Sequence, residues 1–158
     1  LLGPVIGRIY DARGPRLLLV PGTVLAIGVL WLFSTFGDGT PLWLIVIAQT
    51  VLSLGLAMSF TPLMTSAMGS LTPHLYSYGS AILSTIQQVA GAAGVAVLVT
   101  TMTAVTAAAE AGGATETAAG AQGAQTAFLV AALMAVPLLV SAFFVRKTEA
   151  AEGAPAGH

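Results

Sequence analysis

From residue 39 to residue 109 the chain carries no Asp, Glu, Lys or Arg. Two flanking runs, 17–37 and 117–145, are equally free of charge. A span needs roughly 20 mainly apolar residues to cross about 30 Å of hydrocarbon. The charge-free runs therefore hold four helical spans, and a soluble fold has too little charge here to cover its surface. Charged residues make up 7% of the chain and hydrophobic ones 56%, against about 25% charged in ordinary soluble domains. The mean hydropathy of +0.92 agrees.

The predicted architecture is all-α: a polytopic transmembrane helical bundle of four full spans plus the end of a fifth. Leu1–Gly7 reads as that end, so the chain reads as a fragment. Residues 8–16 form a charged loop. The spans are expected at about 17–36, 42–68, 79–103 and 125–145, with an Ala/Gly/Thr-rich flexible connector over 104–124 and a disordered tail over 148–158. Pro21 falls in the first turn or so of its span, where proline is tolerated best. Pro62 predicts a kink, its freed backbone groups met by neighbours or by Ser59 and Thr61. Trp31, Phe36 and Trp43 approach one interface, where aromatic rings collect.

Charge placement fixes an orientation. The basic residues are Arg8, Arg13, Arg16, Arg146 and Lys147. Four spans put all five on one face, whereas three or five spans would split them. Positive charge marks the cytoplasmic side, so the first loop, the 69–78 loop and the C-terminal tail are read as cytoplasmic. The 104–124 connector is then external. The lipid bilayer is the first partner implied, with a multi-pass placement in the plasma membrane.

Other function classes recede. A net charge of −1 without a basic tract gives no nucleic-acid surface. The absence of Cys excludes disulfides, thiol catalysis and Cys-ligated metals. No Ser/His/Asp cluster, phosphate loop or metal-ligand spacing is visible, so neither an enzyme nor a cofactor is expected.

Polar residues inside spans are the default functional candidates. Gln49, Gln87 and Gln88 either meet a substrate or bond a facing helix. Met58, Phe60 and Met64 either line an adaptable apolar pocket or face lipid and core. Gln49, Met58, Phe60, Gln87 and Gln88 together form the candidate substrate cavity. Gly91 and Gly94 lie in the small-residue run Ala90–Gly94, which suits close helix packing. His74 reads as a loop-surface histidine. No Asp or Glu lies inside an expected span.

The loop Gly7-Arg8-Ile9-Tyr10-Asp11-Ala12-Arg13-Gly14-Pro15-Arg16 must turn sharply. Gly14 supplies the turn and Pro15 starts the next helix. On physical grounds it is either a plain charged loop or a site where Asp11 pairs in one conformation and releases in another. It also resembles motif A of the major facilitator superfamily, with Gly7, Asp11, Gly14 and Arg16 on the motif's slots; Ala12 and Pro15 depart from slots that are usually basic. A second stretch runs from Thr72-Pro73-His74 through Tyr78-Gly79 to Gln87-Gln88 and Gly91-Ala92-Ala93-Gly94. It resembles the last spans of the fourteen-span drug:proton antiporters of the EmrB/QacA type.

The resemblance implies a partial fold of that superfamily and a cytoplasmic gating loop of Gly7, Arg8, Asp11, Arg13, Gly14 and Arg16. It also implies export of small apolar or cationic drug-like compounds by proton antiport with alternating access. The partners implied are protons, the substrate and a missing N-terminal half that supplies the coupling carboxylates. The alternative reading is a small oligomeric membrane scaffold or accessory protein.

Overall fold

The structure, a computed structural model, describes residues 16–37, 39–69 and 71–144. They form four long α-helices, α1 (Arg16–Phe33), α2 (Leu42–Gly69), α3 (Tyr76–Ala111) and α4 (Glu116–Ala142), with one short 3₁₀ turn, Pro73–Leu75, before α3. The expected end of a fifth span over 1–7, most of the 8–16 loop and the 148–158 tail lie outside the described residues. The fold is an all-α membrane-type bundle. α2, α3 and α4 are each long and apolar enough to cross a membrane, and α1 is a shorter apolar helix.

α1 ends three residues before the expected Phe36, because Ser34 and Thr35 turn their hydroxyls back onto the Trp31 and Leu32 carbonyls at 2.6 and 2.7 Å. Such local bonds compete with helix continuation. The turn to α2 is then closed by Thr40, whose Oγ1 accepts from the Gly37 amide at 2.9 Å. Its own amide donates to the Gly37 carbonyl, also at 2.9 Å. Trp31 and Trp43 flank this turn and both are exposed, the placement of interfacial aromatic anchors.

The flexible connector expected over 104–124 is a correction. α3 continues to Ala111 and α4 begins at Glu116, leaving a four-residue turn. Alanine is the strongest helix former, and Ala107–Ala109 and Ala118–Ala119 keep both sides helical. Only Gly112-Gly113 breaks the run. Gly113 takes φ +89°, a left-handed conformation that closes helix ends, and the Ala114 amide donates to the Ala109 carbonyl at 3.0 Å. Thr115 then caps α4 by accepting from the Ala118 amide at 3.4 Å, and Glu116 places a carboxylate at the positive end of the helix dipole.

The helices lie in the order α2–α1–α4–α3. α1 packs on both α2 and α4, α3 packs on α4, and α2 and α3 barely touch. The α1–α2 seam brings backbone close to backbone. A Cβ at Gly22 would stand 2.8 Å from Met58 Cβ, and one at Gly55 would stand 2.8 Å from the Gly22 carbonyl oxygen. Thr23 and Ser59 meet across it at 3.3 Å. Each hydroxyl also has a carbonyl of its own helix in range, Leu19 for Thr23 at 2.7 Å and Gly55 for Ser59 at 3.0 Å, so the one proton that crosses the seam is shared with a backbone acceptor. Pro62 is fully buried. The hydroxyls of Ser59 and Thr61 go to Gly55 and Ala57, so neither takes up the carbonyl that Pro62 frees.

Burial is inverted relative to a soluble protein. Buried positions are mostly small or weakly polar, such as Ala48, Gly55, Ser59, Ala119, Gly123 and Ala132, while Leu42, Val46, Ile82 and Val95 are exposed. Small residues at seams and large apolar ones outside are what a bilayer favours, since lipid gives no hydrophobic drive between helices. α3 buries none of its residues.

Candidate functional site

A hollow opens where the end of α1, the turn after it, the first half of α2 and the first half of α4 converge. Its volume is about 430 Å³. Phe33, Phe36 and Phe128 form its aromatic wall, and Ile45, Ala121 and Ala124 add apolar surface. Phe33 meets Phe36 edge-on, centroids 5.3 Å apart at 89°, and lies 5.0 Å from Phe128 at 32°. Both are favourable aromatic geometries. Phe33 is itself buried, with Val29 and Ala48 beneath it.

Polar groups enter this wall at two main points. Gln125 Nε2 donates to the Phe36 carbonyl at 2.7 Å, which ties α4 to the frayed end of α1 and orients that amide. Gln49 is exposed on α2 and lines the hollow, and its side-chain amide has no hydrogen-bond partner among the described residues. Thr40 and Thr117 complete the lining. No charged residue is among the described lining residues. A smaller, wholly apolar hollow of about 210 Å³ between α3 and α4 adjoins the first through Ala124 and Phe128.

A third hollow, about 390 Å³, lies beside the α3–α4 turn and is lined by Glu110, Glu116, Thr103 and Thr106 among others. Thr106 Oγ1 is buried without a partner. Among the described residues no group of three or more His, Cys, Asp or Glu sits together to hold a metal.

The structure scatters the candidates read from the sequence. Gln49 is in the aromatic hollow. Met58 lies in the α1–α2 seam beside Gly22. Phe60 is exposed. Gln87 Nε2 reaches Met64 Sδ at 3.6 Å, and Gln88 Nε2 donates to Ser84 Oγ one turn back on its own helix at 3.2 Å. Met64 lies fifteen residues after Gln49 on α2, about 22 Å along the axis. The five expected cavity residues therefore do not share one cavity. A Cβ added at Gly91 or Gly94 would meet nothing within 4 Å; the close helix approaches are at Gly22, Gly55 and Gly123 instead. Gly7, Arg8, Asp11, Arg13 and Gly14 lie outside the described residues, and Arg16 opens α1.

Sequence reasoning missed Phe33, Phe128 and Gln125 as site residues. The signal was present for Gln125, an amide in an apolar helix, but the connector assignment put it at a helix start rather than in the third turn of α4.

Comparison with known proteins bears on what this bundle belongs to. The chain is 39% identical over 92 residues to a lincomycin resistance protein of Listeria monocytogenes, a match covering 58% of this chain and 20% of that protein. It is 37% identical over 91 residues to an MFS-type transporter of Bacillus subtilis, covering 58% and 19%. Over this stretch the chain is similar to transporters of the major facilitator superfamily. A multidrug resistance protein B homolog of Mycobacterium tuberculosis is 32% identical over 92 residues, covering 56% and 17%. The chain thus spans about a fifth of the length of these superfamily relatives. No protein-family model and no solved structure matches it. Together with its helices, the relationship makes it a multi-pass membrane protein.

Proposed function

We propose that this chain is the C-terminal part of a multidrug exporter. It would move small apolar or cationic compounds out of the cell by proton antiport with alternating access. The observation that carries the reading is the similarity to transporters named for lincomycin and multidrug resistance. The inverted burial of the helices supports it. The relatives' greater length supports a partner half outside this chain, against which these helices would rock around a shared cavity. No observation favours the alternative of a scaffold without transport activity.

The described residues have two side-chain carboxylates, Glu110 and Glu116, and both sit at helix ends beside the α3–α4 turn. The coupling carboxylates would then come from the partner half. The proposed location is the plasma membrane, with the C-terminus and the motif-A-like loop of Gly7, Arg8, Asp11, Arg13, Gly14 and Arg16 cytoplasmic and the α3–α4 turn external. Such a loop would gate the cavity by making and breaking the Asp11 pairing.

The test is efflux from an efflux-deficient bacterium expressing the complete open reading frame. Cells should retain less ethidium than controls, and a protonophore should abolish the difference. Equal retention with and without the transporter would overturn the reading. A fusion of alkaline phosphatase to the C-terminus should be inactive; activity there would reverse the orientation.

A further inference from the structure

We propose that one edge of the lipid bilayer crosses this bundle at the height of Phe36, Val105 and Gln125, and that the α3–α4 hairpin stands beyond it in water as a helical projection. Two contacts define that height. Gln125 donates to the Phe36 carbonyl, which sets the end of α1 beside the third turn of α4. An added Cβ at Gly123 would meet Thr106 Oγ1 and the Met102 carbonyl, which sets Val105 of α3 beside the same turn. α4 begins at Glu116, nine residues before Gln125, so its first turns rise about 13 Å beyond this height. α3 continues past Val105 to Ala111, about 9 Å further. The headgroup layer adds roughly 5–8 Å on each side of the hydrocarbon, so the tip of the hairpin clears it.

The side chains change at the same height. From Thr106 to Ala127 the sequence holds only Ala, Gly, Thr, Gln and Glu, and Val105 and Phe128 are the first large apolar residues on either side. Below the edge the exposed positions are large and apolar, such as Val95 and Val99 on α3 and Leu133 and Met134 on α4. Beyond it they are Ala108, Glu110, Glu116, Thr117 and Gln122. A carboxylate facing acyl chains is costly, and in water that cost vanishes. Small residues also serve helix seams, but α3 buries none of its residues, and a seam does not account for glutamates on exposed faces. Trp31 and Trp43, both exposed, flank the α1–α2 turn at this edge, where aromatic rings meet headgroups. Thr117 belongs to the projecting part of α4 and lines the aromatic hollow with Gly37 and Thr40, so that hollow reaches the same edge. On the exporter reading this is the outer edge; its height does not depend on that reading.

Four single cysteines test the proposal, each at an exposed position: Ala108→Cys and Gln122→Cys on the projection, Val95→Cys and Leu133→Cys below the edge. They are placed in the protein expressed from its complete open reading frame, with any cysteine outside these residues replaced by serine. A membrane-impermeant maleimide is applied to intact cells and to permeabilised ones. In permeabilised cells Ala108→Cys and Gln122→Cys should react at least about tenfold faster than the other two, because the thiolate is the reactive species and each unit by which an apolar setting raises the thiol pKa removes tenfold of it. Both should also react in intact cells. Spin labels on the same cysteines in reconstituted vesicles give a second measure. A water-soluble nickel chelate should relax the labels at 108 and 122 more than oxygen does, and oxygen should dominate at 95 and 133. Equal reaction rates at the four positions, or oxygen dominating at 108 and 122, would remove the edge from this height and overturn the proposal. Reaction at 108 and 122 only after permeabilisation would overturn the outward orientation of the exporter reading and leave the edge standing.

Discussion

Gly55→Ala adds one methyl group to the α1–α2 seam, and the structure sets its cost. The new Cβ would stand 2.8 Å from the Gly22 carbonyl oxygen and 3.0 Å from the Ala26 amide nitrogen. Both are backbone atoms, so no rotamer change relieves the contact. Restoring an ordinary 3.4 Å separation moves α1 outward by roughly 0.6 Å, in a packed interior that transmits strain. That shift stretches the 3.3 Å Thr23–Ser59 contact past hydrogen-bonding range; such bonds in membranes average about 0.6 kcal/mol. Overpacking itself costs about 1–3 kcal/mol, and the helix-propensity gain of alanine over glycine returns at most about 1 kcal/mol. The net expectation is a loss of about 1–3 kcal/mol. Gly28→Ala is the matched control, because it makes the same chemical change on α1 with nothing within 4 Å; it should be neutral or stabilising by up to about 1 kcal/mol. Unfolding in mixed micelles titrated with dodecyl sulfate, read through Trp31 and Trp43 fluorescence, gives both values. Gly55→Ala at wild-type stability, or Gly28→Ala equally damaging, would refute the backbone-contact reasoning.

Three further outcomes follow from single features. Gln125→Leu removes the 2.7 Å bond to the Phe36 carbonyl and should lower stability by about 0.5–1.5 kcal/mol. The same change should speed amide exchange at Gly37 and Thr40, measured by hydrogen–deuterium exchange. Thr106→Val replaces a buried hydroxyl that has no partner with a methyl group of the same shape; it should be neutral or stabilising by about 1 kcal/mol in the same unfolding assay. Gly113→Ala forces a side chain onto φ +89° and should destabilise the α3–α4 turn by about 1–2 kcal/mol, visible as faster proteolysis between Ala111 and Glu116.

The membrane-type bundle was legible because charge placement is a one-dimensional signal. A run from residue 39 to residue 109 without charge leaves little choice of solvent. Helix ends were less legible, and for identifiable reasons. Ser34 and Thr35 end α1 through bonds to their own helix, and nothing in an apolar window marks which hydroxyl will turn back. The 104–124 segment has linker-like composition, yet its alanines favour helix and only Gly112-Gly113 interrupts them. The site was least legible, because it is assembled from residues distant in sequence. Phe33 and Phe128 meet at 5.0 Å across 95 positions, and periodicity carries no information at that range. Gly91 and Gly94 show the converse: their spacing suits packing, but small residues are only permissive, and it was Gly22, Gly55 and Gly123 that met a neighbour.

How many neighbours each helix packs against bears on how such a bundle can move. α1 is held to α2 by backbone-to-backbone contact at Gly22 and Gly55 and by the Thr23–Ser59 pair, and to α4 by the stacked Phe33 and Phe128. α1 is thus tied on both sides, and packed interfaces shift between discrete arrangements rather than deform continuously. α3 is different. It touches α2 barely, buries no residue, and rests on α4 where Gly123 faces Thr106 and lies 2.6 Å, at an added Cβ, from the Met102 carbonyl. That seam carries an unpartnered hydroxyl, a weakness the α1–α2 seam lacks. Motion within this chain is therefore expected as α3 pivoting on α4 about Gly123, with α1, α2 and α4 moving as one body. A disulfide engineered across the α1–α2 seam should then leave ethidium efflux intact, whereas one clamping α3 to α4 near Met102 should arrest it; arrest by the first and not the second would place the moving joint on the wrong side of α4.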